Sequence, residues 1–398
     1  MSATSVPIPR GTGDLALREI RPRALQAAGK VSAAAGHIAI VLHDLRGGGA
    51  ERAVLRLARG MAAAGRSIEL VLVKGEGAYL PEIPSGVPVT ILDRPRVSQA
   101  IGALAAHFRR TRPKAVLSAL THMNLATVTA ARLSGIRPRV VLSERNQISS
   151  KAREASGAWQ RALYRAVPLF YRAADAIVAV SGGVARDLAS FGRLPEKNIH
   201  VIHNPVFDVD VETLARAPVS HPWFEQKGPP IILAAGRLHR QKGFDVLLEA
   251  FAIARAQVDC RLVILGEGPE RAALLATAER LGLAYDIDMP GFSENPFPLM
   301  ARAGTFVLSS RWEGFPNALV EAMACGAPVV ACDCPSGPQE ILSGGRYGAL
   351  VPVENPQALG RALIATLIAR PDTQASQLRA QSFSVGAAAK QYLDVLEA

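Results

Sequence analysis

The chain has 398 residues, 49% of them apolar, which is long enough for two α/β domains of ordinary size. No run of about 20 uncharged apolar residues occurs, so no membrane span is expected, and four cysteines, Cys260, Cys325, Cys332 and Cys334, are too few and too irregular for a disulfide framework or a zinc site. The formal net charge of +11 equals the excess within residues 101–172, where thirteen Lys or Arg stand against only Glu144 and Glu154. Such a patch suits a polyanion or an anionic membrane surface. With no helix-turn-helix, zinc-finger or RNP-type signal beside it, no nucleic-acid partner is expected.

Residues 1–36, rich in Ala, Arg, Pro and Ser, read as a flexible extension without the apolar core of a secretory signal. Residues 37–42 form the first buried strand, followed by R-G-G-G at 46–49 and a helix over 50–64. Strand, glycine turn and helix make a phosphate cradle, because glycine lets backbone N–H groups approach an anion. Further strands are expected at 68–73, 115–120 and 140–144. The strand at 115–120 leads into His122, at the edge where open α/β sheets bind ligands; the one at 140–144 ends in Glu144 and Arg145. A helix is expected over 151–174, with Trp159, Leu163, Tyr164, Val167, Phe170 and Tyr171 on one side and Arg161, Arg165 and Arg172 on the other. That face suits either a membrane interface or packing on the sheet, and Pro168 should kink or break it. Strands at 175–181 and 199–203 close this half.

Residues 211–230 read as a linker, and the second half opens with a strand at 231–235. Arg237 and Lys242, five apart in the turn that follows, can converge on one diphosphate, Arg as a fork and Lys as a point charge. A strand at 262–265 and a loop reaching Phe292 come next. The most informative stretch is 305–331: a buried strand, a turn from Arg311 to Asn317, a helix over 318–325 closed by Gly326, and a second apolar strand. The turn sets Glu313 and the N–H groups of Gly314, Phe315 and Asn317, with Pro316 between them, at the positive end of a helix dipole, and Glu321 one turn further in.

Residues 313–321, E-G-F-P-N-A-L-V-E, closely resemble the E-x7-E motif of retaining glycosyltransferases with two Rossmann-like domains, the GT-B fold, family 4 in particular. G-R-L-H-R-Q-K-G at 236–243 resembles that family's GR…KG signature, and G-G-G-A-E at 47–51 its glycine loop. The resemblance implies an N-terminal acceptor domain over 37–210, a nucleotide-sugar domain over 231–375 and a terminal helix, 376–398, crossing back to the first domain. It implies further that Arg237 and Lys242 neutralise the departing diphosphate. Glu313 and Gly314 to Asn317 then hold sugar hydroxyls and phosphate, Glu321 the ribose, and Gly48 and Gly49 face the phosphates. Phe292 lies by the base, and His122 orients the sugar from the opposite domain. Glu144 and Arg145 are candidates for the acceptor.

The expected reaction is therefore sugar transfer, with retention, from a nucleotide diphosphate-sugar, UDP favoured, to an acceptor hydroxyl on a lipid-linked or surface-glycan intermediate. No cofactor or metal is expected, and the expected location is the cytoplasm or, peripherally, the inner face of the cell membrane. The rivals are a soluble-acceptor transferase, a nucleotide-sugar epimerase on the same fold, a catalytically dead sugar-nucleotide sensor, and a metal-dependent transferase using D-x-D at Asp208–Asp210 or Asp286–Asp288.

Overall fold

The computed structural model describes residues 36–46, 48–207, 211–219 and 221–398. The extension expected at 1–36 thus falls outside the described residues, save Gly36. Seven strands make the first sheet: β1 Ile38–Leu42, β2 Ile68–Leu72, β3 Val89–Ile91, β4 Ala115–Ala119, β5 Arg139–Glu144, β6 Ala176–Ala179 and β7 Ile199–Val201. Six make the second: β8 Ile231–Ala235, β9 Arg261–Leu265, β10 Ile287–Gly291, β11 Thr305–Leu308, β12 Val329–Cys332 and β13 Ala349–Val351. Their orders are 3-2-1-4-5-6-7 and 10-9-8-11-12-13, and every pairing is parallel. Two Rossmann-like α/β halves are the result, as the alternation of apolar runs and helical segments implies.

The central strands are apolar because helices cover both faces. All five residues of β1 are buried, with Ile38 in register with Ile68 on one side and Ala115 on the other. Each such Val, Leu or Ile contributes about 1.5–3 kcal/mol by burial. In each sheet the strand order reverses beside the first strand, at β1/β4 and β8/β11, which opens a crevice at the carboxyl ends.

The terminal helix, Val385–Glu397, does pack on the first half. Gly60 is what lets it come so close: a Cβ there would lie 2.8 Å from Val385 Cγ1 and 2.9 Å from Ala389 Cβ. Tyr392 OH meets Ser143 Oγ at 2.9 Å, and Arg139 Nε donates to the Val395 carbonyl at 2.7 Å.

Several expectations need correction. The single helix expected over 151–174 is two, Ile148–Glu154 and Ala158–Tyr171, because Gly157 takes an extended conformation as the cap between them. Pro168 does not end the second helix; lacking an N–H, it leaves one i→i−4 bond unmade three residues before the helix stops. The short strands β3 and β13 were not anticipated. Neither was β10, whose Pro290 is tolerated because this strand is at the sheet edge and its register shifts between Asp288 and Gly291. The linker holds two short helices, Val211–Ala215 and Pro222–Glu225.

Candidate active site

A cleft of about 740 Å³ lies between the two halves, lined from one side by Gly48, Gly49 and Arg145 and from the other by Arg237, Lys242 and the turn Glu313–Asn317. The loop after β8 supplies two of its cations. Arg237 is exposed toward the cleft. Lys242 ends a short 3-10 turn and is turned inward by Gly243 at φ 62, a left-handed conformation that favours glycine. A Cβ on Gly243 would also sit 2.2 Å from the Ser309 carbonyl oxygen, so the two loops touch through backbone. Ser309 Oγ then donates to the Lys242 carbonyl at 2.7 Å. Lys242 Nζ lies 2.6 Å from Glu313 Oε1, which also accepts from Ser310 Oγ at 2.7 Å.

The helix after this turn runs Asn317–Ala324. None of the backbone hydrogen bonds among the described residues uses the N–H of Phe315, Asn317 or Ala318. These groups face the cleft at a helix start, which with Arg237 and Lys242 makes an anion site. Glu321 also lines the cleft, where Arg56 from the first half reaches its Oε1 at 3.2 Å. Phe292 lines it as well and is 55% exposed.

From the first half, Asn317 Nδ2 donates to the Gly49 carbonyl at 3.0 Å, so the glycine loop and the E-x7-E turn meet across the cleft. A Cβ on Gly48 would fall 2.1 Å from a carboxylate oxygen of Glu51, which folds back over the loop. Burial raises the Glu51 carboxyl above its ordinary value, its own backbone N–H and the charges of Arg145 and Arg237 pulling the other way.

Arg145 is buried, with Nη1 donating to Asn204 Oδ1 at 2.5 Å, while its Nε and Nη2 have no partner among the described residues. Two unsatisfied donors on a buried guanidinium beside a cleft point to an anionic ligand. Asn204 passes the contact on, its Nδ2 donating to Asn317 Oδ1 at 2.8 Å.

The acceptor expectation fares differently for Glu144. Its two oxygens accept from Tyr171 OH at 2.6 Å, Thr121 Oγ1 at 3.0 Å and the N–H groups of Arg145 and Asn146 at 3.0 and 3.3 Å. Burial raises its pKa in spite of those four donors. A carboxylate so engaged holds the Arg145 turn in place rather than presenting itself to a ligand. His122 is also not brought to the cleft lining. It packs edge-on to His43 at 5.8 Å between ring centres, and burial, with His43 beside it, lowers its pKa to about 4. Leu120, just before it, does line the cleft and holds φ at 76°, a strained value for a branched side chain.

Of the two D-x-D sequences, Asp208–Asp210 lies outside the described residues. Asp286 and Asp288 are engaged instead with Arg255 at 3.2 Å and His221 at 3.0 Å. Arg56, Asn204, Ser181 and Ser336 shape the site, and sequence reasoning missed them. Only Asn204, before Pro205 at the end of the first sheet, carried a signal, that of a hinge.

Comparison with known proteins accords with this geometry. A family model described as Glycosyltransferase Family 4 matches residues 47–210, and one described as Glycosyl transferases group 1 matches 229–368. A Campylobacter jejuni protein named N-acetylgalactosamine-N,N'-diacetylbacillosaminyl-diphospho-undecaprenol 4-alpha-N-acetylgalactosaminyltransferase is 33% identical over 197 residues, covering 50% of this chain and 52% of that protein. The lipopolysaccharide core biosynthesis glycosyltransferase LpsE of Rhizobium meliloti is 30% identical over 194 residues, covering 49% and 54%. The matches thus span about half the length of these relatives. Among solved structures, Anabaena HepE in complex with UDP-glucose superposes with a TM-score of 0.74 at 20% identity, over 91% of this chain and 99% of that one. WaaG, described as a glycosyltransferase involved in lipopolysaccharide biosynthesis, does so with 0.70 at 17%, over 90% and 99%.

Proposed function

The chain belongs to glycosyltransferase family 4 and has the GT-B fold, and from that premise we propose that it moves a sugar, with retention, from a nucleotide diphosphate-sugar to a hydroxyl of a lipid-linked acceptor. One observation carries the reading: Arg237, Lys242, Glu313 and the free N–H groups of the helix Asn317–Ala324 converge on one cleft. Cations and fixed dipoles of this kind stabilise the charge that grows on a departing diphosphate, usually the largest contribution to such catalysis. Because side chains and a helix start supply that positive field, the reaction proceeds without a metal ion.

Glu313, already paired with Lys242, holds hydroxyls of the transferred sugar, and Glu321 with Arg56 faces the ribose. The acceptor oxygen bonds to the anomeric carbon on the face from which the phosphate oxygen leaves. The acceptor's proton passes to that phosphate oxygen, so configuration is kept and no protein nucleophile is consumed. UDP is the favoured nucleotide, supported by the HepE structure named for its UDP-glucose complex.

A lipid-linked acceptor is supported by three observations. The Campylobacter relative's name includes a diphospho-undecaprenol acceptor. Arg145, which lines the cleft on the half that would receive the acceptor's phosphate, has two buried guanidinium nitrogens without a partner among the described residues. The helix Ala158–Tyr171 buries Val167 and Tyr171 yet leaves Trp159 and Leu169 74% and 73% exposed, and Arg161, Arg165 and Arg172 are exposed as well. No helix among the described residues is long and apolar enough to cross a membrane, so the proposed attachment is peripheral, through this face on an anionic leaflet.

Incubation with a panel of UDP- and GDP-sugars and a polyprenyl diphosphate-linked sugar, followed by mass spectrometry and NMR of the product, tests the reading. One donor should give a product one sugar heavier, with the donor's anomeric configuration. No transfer from any donor would sink the reading, and an inverted anomer would sink retention.

A further inference from the structure

The turn that presents the Phe315 N–H is held from behind by two buried hydroxyls, one from each half of the protein. Ser181 Oγ, at the end of β6, lies 2.8 Å from the Gly314 carbonyl oxygen, and Ser336 Oγ lies 3.0 Å from it. The two hydroxyls are 2.7 Å apart. Both serines are nearly inaccessible, at 0% and 3% exposure. Only one hydrogen can lie between the two hydroxyl oxygens, so the other is left for the carbonyl, the acceptor within reach. The Gly314 oxygen is therefore fixed on the buried side of the turn. Across a trans peptide the carbonyl and the following N–H point in opposite directions, and among the described residues no peptide bond is cis. Fixing the Gly314 oxygen inward fixes the Phe315 N–H outward, into the cleft that Gly314 and Phe315 line.

The surroundings leave this arrangement little freedom. A Cβ on Gly314 would stand 1.9 Å from the Arg145 carbonyl oxygen, one on Gly183 2.7 Å from that of Pro335, and one on Gly337 2.5 Å from Pro316 Cδ. Glu340 ties the same segment to the first half by accepting the N–H groups of Gly182 and Gly183 at 2.9 and 3.0 Å.

We propose that Ser181 and Ser336 are positioning residues for the leaving diphosphate: by pinning the Gly314 carbonyl they aim the Phe315 N–H at its phosphate oxygens. Since Ser181 belongs to the first half, the phosphate site of the second half is complete only while the two halves are docked. The inference rests on the diphosphate reading of the cleft.

Calorimetric titration of the full-length protein with UDP and GDP, each beside its bare nucleoside, tests it. Ser336→Ala is the first variant, and Ser181→Ala the second, because Ser181 Oγ also accepts the Val184 N–H as a helix cap. Each should weaken the diphosphate that the wild type binds by about tenfold, the scale of one misaimed hydrogen bond, and leave its nucleoside within about twofold. The unchanged nucleoside affinity itself reports a folded cleft. Equal diphosphate affinity in wild type and both variants overturns the positioning role, and so does an equal loss for diphosphate and nucleoside. Failure of the wild type to bind either diphosphate overturns the underlying reading instead.

Discussion

Lys242 and Glu313, seventy-one residues apart in sequence, meet at 2.6 Å between Nζ and Oε1, with the carboxylate side chain 7% exposed and the lysine 21%. Each gives the other a partner in a place where a lone charge would be costly. The pair joins the two loops that the family resemblance singles out, so a diphosphate entering the cleft finds its cation already placed.

Lys242→Ala should lower kcat/KM by about 100-fold or more, because a preorganised charge on the leaving group is lost. It also strands Glu313, costing about 1–3 kcal/mol, below the range for fully buried pairs because Lys242 keeps some exposure. Lys242→Met combined with Glu313→Gln should therefore regain stability in urea unfolding without regaining turnover. Near-normal turnover in a folded single variant would contradict the diphosphate assignment.

Arg145→Ala should act on the acceptor. The two free donors of its guanidinium suit a phosphate, so KM for a polyprenyl diphosphate-linked acceptor should rise about tenfold or more, with KM for the donor little changed. A matched acceptor lacking phosphate separates the cases. If its KM rises equally, Arg145 serves the fold of the cleft and not the acceptor's charge.

His122 sets a pH dependence of stability. Burial, reinforced by His43 and opposed by Asp44, lowers its pKa to about 4, while in the unfolded chain it titrates near 6.5. Between those values the unfolded state binds the extra proton, so stability falls as pH drops from about 6.5 to about 4. Thermal midpoints measured across this window should fall less steeply in His122→Gln than in wild type. Parallel profiles would contradict the burial account.

Binding to the membrane should need negative charge. Each Lys or Arg near an anionic surface adds on the order of 1 kcal/mol, screened by salt. Co-sedimentation should therefore occur with anionic vesicles, decline as salt rises, and weaken when Arg161, Arg165 and Arg172 are changed to Glu. Equal binding to neutral vesicles, or none to anionic ones, would leave a soluble acceptor as the better reading.

Much of the site was legible because its parts are contiguous. The E-G-F-P-N turn sits between two apolar strands, and Arg237 and Lys242 share one strand-to-helix turn, so periodicity and motif locate them. Contacts between distant segments left no such trace. Ser181, Ser336 and Arg56 read as an ordinary helix cap, a loop serine and a helix-face arginine until the fold brings them to Gly314 and Glu321. The helix Ala158–Tyr171 shows the limit of periodicity. Its spacing puts Trp159 on the same face as Tyr171, yet packing against the helix Thr121–Leu133 buries Tyr171 and leaves Trp159 exposed, as the arginines are. Glu144 shows the same limit: its position at a strand end is visible in the sequence, but the four donors that occupy it are not, because Tyr171 and Thr121 come from distant segments.

The central claim is that Arg237 and Lys242 hold the diphosphate of a nucleotide-sugar, and phosphorus-31 NMR of bound UDP tests it most directly. In the wild type both phosphorus resonances should shift and broaden on binding, the outer phosphate most, because it faces Lys242 and the helix start. In Arg237→Ala and Lys242→Ala the shift of the outer phosphate should largely vanish. Unchanged shifts in both folded variants, or no perturbation by the wild type with either UDP or GDP, would contradict the account.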